Sequence, residues 1–265
     1  MDKTVIGLAE ALSRSRKTVV FTGAGMSTES GLPDFRSPSG LWGTFRPEEL
    51  ASTDALNRNF ENFTAFYRER MEAIGGVKPN RGHCILAEWE KTGIITAVVT
   101  QNVDGLHQAA GSGNVHELHG TLREVRCQKC GGISPAGRYS SASRCRKCGG
   151  RLRPAVVLFG EMLPEETLSA GMELASSCSL FIVLGSSLSV SPANILPERA
   201  KRNGALLYIV NNTPTPLDGM ADGVIRRSIG GVLEECDAFL RRGGENVFPP
   251  SPGGRGLRWT GAGEK

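Results

Sequence analysis

The side chains of this chain that can do chemistry are concentrated between Thr100 and Gly120, in the stretch TQNVDGLHQAAGSGNVHELHG. Gln101, Asn102, Asp104 and His107 follow an apolar run, residues 94–99, which reads as a buried strand of a parallel sheet. His119 and Gly120 follow a second short apolar stretch, residues 115–118. Ligands of open α/β sheets bind beyond the carboxyl ends of the strands. Two polar clusters, each just past a strand, therefore read as an active site, whereas a lone histidine in such a loop would be an ordinary solvated side chain. An imidazole with an ordinary pKa of about 6.5 suits base work at neutral pH, which makes His119 the candidate base. Gln101, Asn102 and Asp104 place hydrogen-bonding groups in the same cluster.

Three further segments place polar groups after strands. Residues 17–22 form a β-branched run that leads directly into Gly23-Ala24-Gly25-Met26-Ser27. Small residues at such a turn let backbone N–H groups approach a pyrophosphate. The third glycine of GxGxxG is missing, and no acid follows about 20 residues on, at the end of a second strand. A hydride-transfer enzyme is disfavoured on that ground, and this loop alone leaves a cofactor turn and a plain strand-turn both open. Pro33 stiffens the segment that follows, and Asp34 and Arg36 offer an acceptor and a fixed cation. A buried strand over residues 179–184 ends in Gly185-Ser186-Ser187, whose backbone and hydroxyls suit phosphate or ribose, and a strand over 205–210 ends in Asn211. The spacing Cys127-x2-Cys130-x14-Cys145-x2-Cys148 is that of a four-thiolate zinc ribbon. Four protein thiolates leave the metal no open position, so its role is structural.

The elements that must position these groups fit one large domain, or one domain with a small insert, in 265 residues. Hydrophobic residues make up 39%, and no run approaches the roughly 18 apolar residues of a membrane span. The N-terminal segment reads as a short amphipathic helix without a signal peptide's apolar region. Together with the odd count of seven cysteines, this predicts a cytoplasmic protein with reduced thiols and no membrane partner. A helix is expected over residues 53–74 and another over 81–91. Neither alternates with strands, so both are expected in a lobe beside the sheet. A strand is expected over 154–161 and a closing helix over 229–240. Residues 243–265 are too rich in Gly and Pro to fold alone and are expected to form a flexible tail. The net charge of +4 is uneven, because residues 121–153 carry nine Lys or Arg and a single Glu. Such a module could meet nucleic-acid phosphates. With Tyr139 its only aromatic residue, any binding would be independent of sequence.

TQNVDGLH, ELHG and GAGMSTESGLPDFR resemble the signature segments of the sirtuins, the NAD-dependent protein lysine deacylases, and the resemblance runs over about residues 17–240. It implies an α/β fold: a doubly wound parallel-sheet (Rossmann-like) domain with a small helical plus zinc-ribbon lobe. The large lobe would comprise residues 1–34, 94–120 and 153–242, and the small lobe residues 35–93 with a zinc module at 121–152. It further implies two cofactors, NAD and a structural zinc on Cys127, Cys130, Cys145 and Cys148. Gly23, Ala24, Gly25, Ser27, Pro33, Asp34, Phe35, Arg36, Gln101, Asn102, Asp104, His119, Gly185, Ser186, Ser187 and Asn211 would contact NAD. Serine stands at 186 where the family usually has threonine, and Thr213 stands where it has an acid.

The implied partners are acyl-lysine proteins or peptides, the chain acting as a monomer. Val157, Phe159, Gly160, Glu161, Leu188 and Val190 would pair with the substrate backbone as an added strand. Tyr67 and Arg70, three apart on one predicted helix, and Ala51 before them resemble the sirtuins that remove succinyl and malonyl groups. Other segments resemble bacterial deacetylases, so both acyl classes stay open. ADP-ribosyl transfer to protein would use the same cofactor cleavage. A nucleic-acid-binding module centred on the zinc ribbon would not need the Gln101–Asn102–Asp104 and His119 cluster.

Overall fold

The computed structural model describes residues 2–35, 37, 40 and 46–243. Its main sheet comprises β1 (Thr18–Thr22), β2 (Ala97–Thr100), β3 (Val115–Glu117), β7 (Leu180–Leu184), β8 (Leu206–Val210) and β9 (Gly223–Ile225). The strands run in the order β3-β2-β1-β7-β8-β9, and every pair is parallel. β1, β2 and β7 are buried along their whole length. Helices cover both faces of the sheet, so these strands read as continuous apolar runs rather than alternating ones. On one face lie α1 (Lys3–Arg14), α5 (Arg81–Lys91) and α10 (Ile229–Gly243), which bury Leu8, Leu86, Trp89 and Leu233 against it. On the other lie α8 (Glu165–Ser177) and α9 (Ile195–Arg202), with Ala175 and Leu196 in the core. Asp2 caps α1 by accepting from Thr4 N and Val5 N at 2.9 and 3.0 Å. The doubly wound class expected from the sequence is the one observed. Among the described residues no helix is long and apolar enough to cross a membrane.

The small lobe differs from expectation in three ways. The helix expected over 53–74 is interrupted: α2 (Pro47–Leu50) and α3 (Thr53–Arg58) precede α4 (Phe60–Gly75). Asn59, at φ −135° and ψ 56°, leaves helical geometry between α3 and α4. The helix over 81–91 forms, as α5, but it packs directly on the sheet and not in a separate lobe beside it. Its face of Ile85, Leu86 and Trp89 packs in the sheet core, and Trp89 Nε1 donates to Asp237 of α10 at 3.0 Å. The strand expected over 154–161 is β6 (Leu152–Val156), and it joins the zinc module rather than the main sheet. It pairs antiparallel with β4 (Gly120–Cys127), which also pairs with β5 (Ile133–Pro135). Ala51, Leu56, Phe63 and Tyr67 share one core with Leu122, Val125, Tyr139 and Leu152, so helical segment and zinc module are a single body. Residues 244–265 of the expected tail lie outside the described residues.

The chain winds outward from β1 through β2 to β3, then returns to β7 on the other side of β1. Between β1 and β7 lies the switch point at which such sheets bind ligands. There the two turns meet backbone to backbone: Gly23 N donates to Leu184 O at 3.0 Å, Gly25 N to Gly185 O at 2.9 Å, and Gly185 N to Val210 O at 2.9 Å. A Cβ on Gly185, whose φ is +64°, would lie 2.5 Å from the carbonyl carbon of Gly25. Gly185→Ala should therefore combine left-handed strain with overpacking and lower stability by about 3 kcal/mol. Gly204→Ala, with φ +91° and open space around it, should lose only about 1 kcal/mol. Urea unfolding of the two variants measures the difference, and equal losses would deny the close approach any energetic weight.

Candidate active site

The loops that follow β1, β2, β3, β7, β8 and β9 converge on one cavity of about 560 Å³. Ala24, Gly25, Asp34 and Phe35 line it from the first loop, Gln101 and Asn102 from the second, and His119 follows β3. Gly185, Ser186, Ser187 and Asn211 line it from the far side of the sheet. A recess of about 230 Å³ opens beside it, walled by Ser27, Pro33 and Asp104, and shares Ala24, Phe35, Asn102 and Arg70 with the main cavity. Gly23 lines neither; a Cβ there would lie 2.7 Å from Gly185 O, so it acts through close packing. Arg36 lies outside the described residues.

A buried chain of hydrogen bonds fixes the loop after β2. His107 Nε2 lies 3.0 Å from Thr22 Oγ1, which itself donates to Thr100 Oγ1 at 2.7 Å. With its one proton committed, Thr22 accepts from His107, so His107 carries its proton on Nε2. Thr100 Oγ1 in turn accepts from Asn102 N at 3.0 Å. Asn102 Nδ2 then donates to Gly23 O at 3.1 Å and lies 3.2 Å from Ser27 Oγ. Ser27 Oγ donates to Asp104 at 2.7 Å, and Asp104 also caps Leu106 N, at the start of α6 (Leu106–Ala110), at 2.9 Å. Asn102, Ser27 and Asp104 thus form one web across the floor of the cleft. His107, close to that cluster in sequence, is buried beneath it.

His119 Nδ1 lies 3.0 Å from Gln101 O. A carbonyl only accepts, so Nδ1 carries the proton and Nε2 keeps the lone pair that a base needs. Gln101 Oε1 accepts from Ser186 Oγ at 3.2 Å, while its Nε2 is buried without a partner, a donor suited to a bound ligand. That orphan, the opposed glycine turns and the ring of hydroxyl and amide groups fit a dinucleotide. Asn211 Nδ2 donates to Thr213 O at 2.8 Å and to Thr213 Oγ1 at 3.2 Å, so the missing acid leaves the loop closed by a hydroxyl instead.

The substrate-side residues divide. Val157, Phe159, Gly160, Glu161 and Val190 line the cavity, but Leu188 does not. Leu188 has φ 55°, and its side chain is buried in the core between the sheet and α8 and α9, an environment that apolar volume dictates. Phe159 does not offer its backbone to an added strand: its N donates to Ala51 O at 2.9 Å and its O accepts from Thr53 N at 3.0 Å. Glu161 turns its carboxylate inward to Arg153, at 2.5 and 2.9 Å. Burial would raise the Glu161 pKa, but Arg153, the Leu158 N–H and Arg126 together bring it below the usual range.

Tyr67 is buried, which raises its phenol pKa. Arg70 stacks between two rings, 5.2 Å from the centre of Phe35 and 5.8 Å from that of Phe66. Burial lowers its pKa, and among the described residues no carboxylate lies within ion-pair distance of it. Sequence reasoning missed Glu29, Arg227, Ser228 and Ile229, which also line the cavity. The last three follow β9, whose three residues are too few to show periodicity. The rule that ligands sit beyond strand ends would have found them had that strand been legible.

Cys127, Cys130, Cys145 and Cys148 bring their sulfurs within 4.8 Å of one another, with Cys127–Cys148 at 3.4 Å and Cys130–Cys145 at 3.8 Å. A tetrahedral zinc with Zn–S of about 2.3 Å requires S–S edges of about 3.8 Å, so the four thiols fit that metal. Backbone N–H groups of Cys130 and Lys129 outweigh burial and draw the Cys127 thiol down to about 6, towards the thiolate that metal binding needs.

Residues 23–192 match the profile of the Sir2 family. The chain is 57% identical over 231 residues to "NAD-dependent protein deacetylase 1" of Geobacillus kaustophilus (strain HTA426), covering 86% of this chain and 96% of that one. It is 52% identical over 231 residues to "NAD-dependent protein deacetylase" of Halalkalibacterium halodurans, covering 87% and 98%. Among solved structures, a complex of a Sir2 homologue with NAD superposes with a TM-score of 0.85 at 40% identity, over 91% of this chain and 94% of that one. A Sir2–p53 peptide–NAD+ structure superposes with a TM-score of 0.80 at 38% identity, over 91% and 98%.

The buried histidines set a pH limit on the fold. His83 on α5 and His107 lie with ring centres 4.8 Å apart, both nearly inaccessible to solvent. Burial lowers His83 to about 4; burial, helped by the His83 charge, lowers His107 to about 3. Both folded pKa values lie below the unfolded one, so the stabilisation is complete above about 6.5 and is lost as pH falls towards 4. Each group should contribute about 1.4 kcal/mol of loss per pH unit in that window, or about 2 kcal/mol by pH 5. Urea midpoints at pH 7 and pH 5 should fall further apart in the wild type than in His107→Gln; an identical pH dependence would locate the titration elsewhere.

Proposed function

This chain belongs to the Sir2 family, and from the geometry of its cleft we propose that it is an NAD-dependent protein lysine deacetylase that passes the acyl group to ADP-ribose and releases nicotinamide. The observation that carries this reading is His119, held by Gln101 O with Nε2 as its basic atom, beside the Asn102–Ser27–Asp104 web at the switch point. NAD supplies, when bound, an electrophilic ribose carbon and nicotinamide as its leaving group. The chain's own residues do the rest. Ala24, Gly25, Ser187 and Asn211, which line the cavity on both sides of the glycine contact, would hold the phosphates and riboses, with the unpartnered Gln101 Nε2 as a donor between them. His119 Nε2 takes a ribose hydroxyl proton, and the Gln101 carbonyl, accepting from Nδ1, stabilises the imidazolium that results. Asn102 and Asp104, locked by Ser27, orient the ribose and nicotinamide ends. Val157, Leu158, Phe159 and Leu122 line the wall along which an acyl-lysine would lie, and their apolar surface excludes water. Cys127, Cys130, Cys145 and Cys148 would hold a zinc ion that ties the small lobe together, and four protein thiolates would leave it no role in the chemistry.

Arg70 favours a second acyl class. A half-buried guanidinium, resting on two rings and without a carboxylate among the described residues, suits a carboxylate brought in by the substrate. Small Ala51 and the Tyr67 phenol line the same cavity. Removal of succinyl or malonyl groups, alongside acetyl, is the reading this supports.

Two variants test these assignments. His119→Ala, incubated with NAD and an acetyl-lysine peptide, should lose ~10²–10⁴-fold in turnover and form correspondingly less O-acyl-ADP-ribose by mass spectrometry. Near wild-type turnover would remove His119 from the chemistry, and ADP-ribosylated protein in place of O-acyl-ADP-ribose would change the reaction. Arg70→Met should lose ~10-fold or more in kcat/KM on a succinyl-lysine peptide, the scale of a hydrogen bond to a charged group, and keep its activity on the acetyl peptide. An equal loss on both, or no succinyl activity in the wild type, leaves a deacetylase in which Arg70 only packs.

A further inference from the structure

We propose that Arg153 and Glu161 are positioning residues for the acyl-peptide: an ion pair, its arginine buried and its glutamate half-buried, that fixes the cleft wall at 157–161 and ties it to the zinc module. The proposal rests on the deacylase reading above, because that reading makes this wall the substrate side of the cleft.

The pair is engaged at nearly every available atom. Arg153 is 3% exposed. Its Nη1 donates to Glu161 Oε1 at 2.5 Å and its Nη2 to Glu161 Oε2 at 2.9 Å, while Nη2 and Nε also reach Val156 O at 2.5 Å and Pro154 O at 3.2 Å. Glu161 Oε2 accepts in addition from Leu158 N at 2.9 Å, and Glu161 N donates back to Leu158 O at 2.9 Å. Residues 158–161 are therefore a turn clamped from inside by its own last side chain.

The wall is also the junction of the three parts of the molecule. Val157 N donates to His119 O at 2.8 Å, so the segment hangs on the backbone of the candidate base. Phe159 is bridged to Ala51 and Thr53 of the helical segment. The zinc module supplies the cations: Arg126, one residue before the ligand Cys127, stands opposite Arg153 in the β4–β6 register and donates to Glu161 at 3.3 Å. Two guanidiniums from paired strands, one of which ends in the candidate zinc ligand Cys127, thus converge on one carboxylate from the cleft wall. Burying such a pair gains little stability over an apolar replacement. A bidentate guanidinium–carboxylate contact does fix direction as well as distance. What the pair contributes is the placement of Val157, Phe159 and Gly160 against the substrate.

The test compares wild type, Arg153→Met, Glu161→Gln and Arg126→Met as zinc-loaded full chains. Three quantities are read: KM for an acetyl-lysine peptide, KM for NAD, and hydrogen exchange across 157–161. Arg153→Met should raise peptide KM by ~10-fold or more, the scale of a small misplacement of a binding wall. Its NAD KM should stay within about twofold and kcat should fall less than KM rises. Exchange at Leu158 and Phe159 should speed up with one zinc retained per chain. Glu161→Gln, which keeps an accepting oxygen for Leu158 N, and Arg126→Met, which removes the more exposed of the two cations, should each raise peptide KM by less than Arg153→Met does. Peptide KM unchanged while exchange accelerates, or NAD KM rising as much as peptide KM, would overturn the proposal. Should Arg153→Met not fold, Glu161→Gln decides: an unchanged peptide KM overturns it. If the wild type shows no NAD-dependent deacylation, the function reading fails; peptide affinity by titration calorimetry then judges the pair, and no loss of affinity in the variants overturns it.

Discussion

Two peptide backbones in contact, at Gly25 and Gly185, are the constraint on which the site depends. Each glycine occupies the space where the other's side chain would stand, with a Cβ on Gly185 only 2.5 Å from Gly25 C. The contact lies where the winding of the sheet reverses, between β1 and β7. Strand ends there diverge and leave a crevice, and side chains would fill it. Because the turns are bare and bonded to one another, the crevice above them stays open, and Ser187 and Asn211 line it.

The loop after β2 depends on that contact in turn. Asn102 is anchored to Gly23 O, one residue before the turn, and to Ser27, at its far end. Beneath it the Thr22–Thr100–His107 chain reaches down between the strands. The groups with candidate catalytic roles are therefore held by partners with no freedom to relax. Such preorganisation lets hydrogen bonds act at the moment of reaction without reorganising. Of the two buried imidazoles, His107 is bonded into this chain through Thr22, and His83 packs against its ring.

Charge is distributed unevenly around the cleft. At Glu161 two guanidiniums meet one carboxylate, and the result is a rigid wall. At Arg70 a guanidinium rests on aromatic rings without a carboxylate among the described residues. Both lie in the small lobe or at its boundary, whose single core joins helices and zinc-bearing strands. The tetrathiolate centre therefore has a role in shaping the cleft without facing it.

Local signals determined much of this in advance. The Cys127-x2-Cys130 and Cys145-x2-Cys148 pairs, the glycine turn after a β-branched run, and His119-Gly120 after an apolar stretch are short-range patterns, and local geometry limits what each can be. Tertiary structure alone decided what each element faces. The apolar stripe of α5 required burial but not a particular partner, and it packed on the sheet with Trp89 bonded to Asp237, 148 residues away. Glu161 stood in a segment that looked like a substrate edge, and it turned inward because Arg153 and Arg126 arrive from strands paired with each other across the zinc module. His107 stood among polar neighbours and was buried against Thr22 of β1 and the His83 ring of α5. Periodicity reports which face of an element leaves water, and spacing reports which ligands lie near one another along the chain. Neither encodes the long-range pairing that brings a cation to a carboxylate, so the chemistry was legible while the orientation of its supports was settled only by folding.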